Sequence, residues 1–144
     1  MKTYQLLIFL ILGSFALSCD QTAKQQAQEQ QLWDQVMAVH DEVMPKMGEM
    51  NQLSRDLRTK LEELDTTLTE QREQMMMGIR ALEQADEGMM SWMSAIEPLD
   101  ELHENKTHEE IMAYLKEEQQ KVSKVKEDML KSIEEGKKLL NNGM

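Results

Sequence analysis

The sequence predicts an all-α protein. The expected architecture is an elongated antiparallel three-helix bundle with up-down-up connections and coiled-coil-like packing, following a short N-terminal leader. Three observations carry that prediction. Apolar residues recur at steps of three and four along most of the chain, the signature of amphipathic helices. Helix breakers are scarce, with 6 Gly and 2 Pro among 144 residues. Aromatic residues make up only 4%, so a core must come from Leu, Ile, Val and Met, in a composition whose abundant Glu, Gln and Lys also favour helix.

The leader comes first. Lys2 precedes an apolar run from Ile8 to Leu17, followed by Ser18 and Cys19, the sole cysteine. A basic start, a short apolar stretch and small residues before the cut describe a secretory signal peptide. The run is shorter than the ~20 apolar residues a membrane span requires. A cysteine directly after the cut marks a lipoprotein signal. Its thiol would carry a diacylglycerol thioether and its new amino group a further acyl chain such as palmitate. A lone thiol in an exported protein has no intramolecular disulfide to make, which suits this use. Ala16 stands where such signals favour leucine, with Leu17 beside it. The chain thus divides into a signal peptide (1–18), a lipidated Cys19 with a polar tether to residue 31, and a helical domain over 32–144. Two or more acyl chains would hold it durably to a bilayer, at ~0.8 kcal/mol per buried methylene.

Residues 20–31 contain no large apolar side chain and read as solvated tether. The first helical stripe then runs Leu32, Val36, Val39, Val43, Met47, Met50, Leu53, Leu57, Leu61 and Leu64. Pro45 removes an amide and crowds the carbonyl of Asp41, so a kink is expected near 41–45. The second helix is heptad-spaced. Leu68, Met75, Leu82, Met89 and Ile96 form one row, and Arg72, Ile79, Asp86 and Met93 its companion. Such spacing favours near-parallel axes with a shallow supercoil. Arg72 and Asp86 belong at the edge of that seam or against opposite charge. Pro98 ends the helix, and residues 97–107 read as a polar loop. Thr107 with Glu110 three residues on forms a capping box that starts the third helix. Ile111, Leu115, Val122, Val125, Met129, Ile133 and Leu140 form its stripe, and Asn141-Asn142-Gly143 stops it.

Composition limits function. With 16 basic and 27 acidic residues the chain carries −11. Loss of residues 1–18 would remove only Lys2 and make the remainder more negative. Such a charge opposes nucleic acid and anionic lipid surfaces, so attachment to a membrane would rest on the lipid. No glycine-rich phosphate loop, nucleophile elbow or paired-cysteine motif is present. His103 and His108 are five apart, not the four that places two ligands on one helical face, and they straddle the expected loop and cap. No carboxylate pair stands out as an acid–base couple. These observations argue against an enzyme.

Fourteen methionines remain to be explained. A turn near residue 66 would set His40, Met44 and Met47 opposite Met93, Met89 and Asp86. A turn near 102 would set Met112 and Leu115 against Trp92 and Met89. His40, Met44, Met47, Met89, Met93 and Met112 would then gather in one half of the bundle. The first expectation is packing, because methionine fills gaps in cores, and hence no cofactor. Cu(I) is the cofactor these donors would suit, since thioether and imidazole are soft ligands. A third reading makes the zone a plastic binding surface, with Met90, Trp92 and Tyr114 as partner-binding candidates. The Pro45 kink is expected to loosen contact with Met89 and expose apolar surface there.

The stretches His40-Asp41-Glu42-Val43-Met44-Pro45-Lys46-Met47, Asp86-Glu87-Gly88-Met89-Met90-Ser91-Trp92-Met93 and Val122-Ser123-Lys124-Val125-Lys126 carry a resemblance. Together they are similar to a family of small Bacteroidetes envelope lipoproteins often labelled "viral A-type inclusion protein". The resemblance implies a Gram-negative envelope setting and a looser lipoprotein signal that accommodates Ala16. It implies no activity at any residue. The expectation is a non-enzymatic protein, exported and lipid-anchored in the cell envelope at the outer membrane, that binds or spaces another envelope protein. The alternatives are a periplasmic chaperone-like binder of helices or unfolded chains and a Met/His copper-binding protein.

Overall fold

In the computed structural model, residues 2–142 are described, with side chains over 21–141. The expectations for residues 1–18 and for the Cys19 thiol fall outside the described side chains. Among the described residues the chain is all-helical, with α1 (Lys2–Val43), a 3-10 turn (Met44–Lys46), α2 (Met47–Glu63), α3 (Thr69–Ala95), α4 (Leu99–Asn105) and α5 (His108–Asn142). None of the described helices is long and apolar enough to cross a membrane.

Pro45 acts where its chemistry requires. α1 ends at Val43, the 3-10 turn carries the proline in its first two positions, and α2 resumes at Met47 with its amide bonded to the Met44 carbonyl. The expected loosening at Met89 does not occur: Met89 is fully buried, and among the described residues the exposed methionines are Met76, Met77 and Met90, all on α3. A 3-10 turn keeps the chain helical through the proline, and buried residues continue on both sides of it, at Val43 and Met50.

The heptad row on α3 is buried from Met75 through Leu82 to Met89, but Leu68 is 41% exposed because it precedes the first helical turn. Arg72 explains its place in the companion row. Its guanidinium donates to the carbonyls of Leu61 and Leu64 at 2.7 and 2.9 Å, satisfying acceptors left open at the end of α2. The α2–α3 connection is tightened by Asp65, whose carboxylate accepts from the Thr67 amide and hydroxyl, both at 2.8 Å. These bonds hold the Asp65 carboxyl below its usual range.

The expected polar loop over 97–107 is instead largely α4. Pro98 presets the backbone before the first turn, Asp100 and Glu101 lie in that turn, and Leu99 and Leu102 share a buried face. Two leucines three apart give this segment, whose composition reads as loop, a buried helical face. The capping box of α5 forms as expected. Glu110 accepts from the Thr107 amide at 2.8 Å, and the Glu110 amide lies 3.4 Å from the Thr107 hydroxyl.

Two apolar clusters result. The larger joins Val36, Val43, Met50, Leu57, Leu82, Met89, Val122 and Met129 with their neighbours from α1, α2, α3 and α5. The smaller comprises Leu32, Leu99, Leu102, Ile111 and Leu115, with Trp33, Met112 and Tyr114 packed on it. Burying each such side chain contributes about 1.5–3 kcal/mol. Gly78 permits close approach of α3 and α5, since a Cβ there would run into Leu139 Cδ1.

Candidate functional site

His40 lies on the last turn of α1, three residues before Val43, which is fully buried. Its side chain is 16% exposed. Nδ1 lies 2.8 Å from Asp41 Oδ1, and Nε2 lies 3.2 Å from Met93 Sδ on α3. The Trp92 ring centroid is 5.7 Å from that of His40, with the planes tilted by 36°. Opposition of His40 and Met93, expected from a turn near residue 66, is therefore a direct contact. Asn51 faces Asp86 at 3.5 Å. Met44 and Met47 are half-buried and pack on the larger cluster, in which Met89 is fully buried.

Met112 does not join them. It packs on the smaller cluster. The reason is a shift in register: Trp92 faces Glu118, not Met112, because α4 inserts extra helix between α3 and α5. The Trp92 indole N–H donates to Glu118 Oε2 at 2.8 Å, and Lys121 donates to Glu118 Oε1 at 2.9 Å. Glu117 and Glu118 both raise the Lys121 pKa above its ordinary value, Glu117 the more strongly. Trp92, only 6% exposed and with its N–H engaged, is closed to a partner in this arrangement. Tyr114 is half-buried and its hydroxyl accepts from the Glu97 amide at 2.7 Å. Burial is the main cause of its raised pKa. Of the three partner-binding candidates, Met90 alone is open, at 52% exposure.

Sequence reasoning missed a second polar site. Glu29, in the stretch expected as solvated tether, is 3% exposed. Its carboxylate accepts from His103 Nε2 of α4 and His108 Nδ1 of α5, each at 2.7 Å. The two histidines, five apart and unable to share a helical face, are brought together by the α4–α5 corner and a carboxylate from α1. A signal for Glu29 was available. Stepping back from Leu32 by three, as the stripe itself steps, lands on Glu29, and four more lands on half-buried Gln25. A pattern that counts only apolar residues stops too soon. Most of residues 21–31 are exposed, yet helical throughout.

Among the described residues, no group of three or more His, Cys, Asp or Glu side chains could hold a metal ion. The Glu29 contacts tie the start of the core to the α4–α5 corner. The donors at His40 are a different set, one imidazole and thioethers. Compared with protein-family models, curated proteins and solved structures, the chain finds no match.

Proposed function

We propose that this protein is a non-enzymatic lipoprotein of the bacterial cell envelope, anchored through Cys19 at the outer membrane, and that its helices form an elongated up-down-up bundle that binds or spaces another envelope protein. The leader ending at Cys19 carries the anchor, and the resemblance to Bacteroidetes envelope lipoproteins supports the setting.

The pairing of residues supports the topology. Along α1 and α2, His40, Asn51 and Arg58 meet Met93, Asp86 and Glu83, so partners fall as numbers rise. Against α5 they rise together: Gln35 meets Gln119, Glu42 meets Lys126 and Glu49 meets Lys137. The first two of those pairs are one heptad apart on both helices, in keeping with coiled-coil-like packing.

The spacing role draws on the continuity of α1, which runs from the leader into the larger cluster without a break. An anchor at Cys19 and the Glu29 contacts would lie on one helix, about 15 Å apart at 1.5 Å per residue. The helical domain would then stand off the bilayer at a fixed distance. Intact mass of the protein recovered from membranes tests the anchor. Acyl chains on an N-terminal Cys19 are expected, with Cys19→Ala left as an unlipidated precursor. A mature terminus elsewhere, without lipid, contradicts the reading.

Chaperone-like binding is the second reading, favoured by one observation: Met76, Met77 and Met90 are 41–58% exposed on α3. Methionine surfaces adapt to varied apolar partners. Crosslinking of the lipidated protein in cells separates the two. A single stoichiometric partner supports spacing, and many unfolded clients support a chaperone.

A further inference from the structure

The His40–Met93 contact sets an imidazole nitrogen against a thioether sulfur. A neutral imidazole carries one ring proton, and a carboxylate can only accept. Asp41, 2.8 Å from Nδ1, favours the tautomer that carries this proton at Nδ1. In that tautomer Nε2 presents its lone pair to Met93 Sδ at 3.2 Å. A thioether has no hydrogen to give. Two electron-pair donors then face each other, with a carboxylate behind the imidazole, the arrangement found at histidines that ligate metals.

We propose that His40 Nε2 and Met93 Sδ, with Met44 as third donor, bind a soft monovalent cation, Cu(I). Met44 opens the 3-10 turn four residues beyond His40 and, like Met93, is half-buried against the larger cluster. Thioether ligands select Cu(I) over harder divalent ions. A trigonal site with metal–nitrogen and metal–sulfur bonds of ~2.0 and ~2.3 Å separates its N and S donors by about 3.7 Å. The pair must open by roughly half an ångström, which an unbranched methionine side chain accommodates. Trp92 covers one side, while His40 keeps enough exposure for a metal to enter. The site is independent of the lipid anchor and of any protein partner.

The test is anaerobic titration of the full chain with Cu(I), in detergent and against a chromogenic chelator. A Cys19→Ser background keeps the free thiol from taking the metal. One equivalent per chain is expected to survive the competition. Met93→Leu conserves volume and should abolish retention with helicity unchanged. His40→Asn should do the same and serves if Met93→Leu loses helicity. Asp41→Asn should weaken binding by about 10-fold through loss of the orienting carboxylate. Failure of the parent chain to retain copper overturns the proposal. So does full retention by Met93→Leu, which places the metal elsewhere, and unchanged affinity in Asp41→Asn, which removes the tautomer argument.

Discussion

The two apolar clusters are closed by different means. The larger is sealed chiefly by apolar side chains, and Val36, Val43, Leu57, Met89, Val122 and Met129 within it have no exposed surface, while its Trp92 donates to the buried Glu118 carboxylate at the edge. The smaller has five buried apolar residues and is completed by a charge, the Glu29 carboxylate between His103 and His108. Apolar burial is non-directional and tolerates repacking. A buried carboxylate must find its donors or it strongly disfavours the fold. One end of the molecule is therefore held mainly by area, the other as much by the geometry around one buried carboxylate.

The largest expected effect breaks the area-held end. Leu82→Asp places an unpaired charge at a position 1% exposed and should cost about 4 kcal/mol or more. Urea unfolding followed by circular dichroism measures it. An unchanged midpoint would remove Leu82 from the core. Next comes the geometry-held end. The double substitution His103→Ala/His108→Ala leaves Glu29 buried without its donors and should cost about 3 kcal/mol. If solvent reaches Glu29 freely, the loss will be near zero.

Thr107→Ala sharpens the comparison by striking the helix that both clusters share. It removes the hydroxyl of the capping box and should cost about 1 kcal/mol. The smallest effect is on pH dependence. Thr107 holds Glu110 below the ordinary carboxylate range through its amide and then its hydroxyl, and Lys137 does the same for Glu49. A lowered folded pKa contributes stability that is complete above the unfolded value and is lost as pH falls through the folded one. Urea midpoints should therefore decline on the acid side of that range, and less steeply in Thr107→Ala. A decline confined to alkaline pH would contradict the sign.

The same division explains how much was legible in the sequence. Helical stripes, the Pro45 interruption, the Thr107–Glu110 cap and the opposition of His40 to Met93 follow from spacing, because periodicity and local hydrogen bonds are written in neighbouring residues. The smaller cluster was not legible. Leu99 and Leu102 lie among Asp, Glu and His, so their segment reads as loop, and α4 then shifts α5 against α3 and separates Met112 from Trp92. The stripe stepped back from Leu32 reaches Glu29, but its partners are histidines more than seventy positions away, which no local pattern can show.

Amide hydrogen exchange on the parent chain and Glu29→Ala tests the central contrast most directly. Removing the carboxylate should speed exchange over residues 29–33 and 99–115 while protection over 75–92 stays unchanged. Equal loss of protection in both regions, or no loss in either, would contradict the account that the two ends are held by different forces.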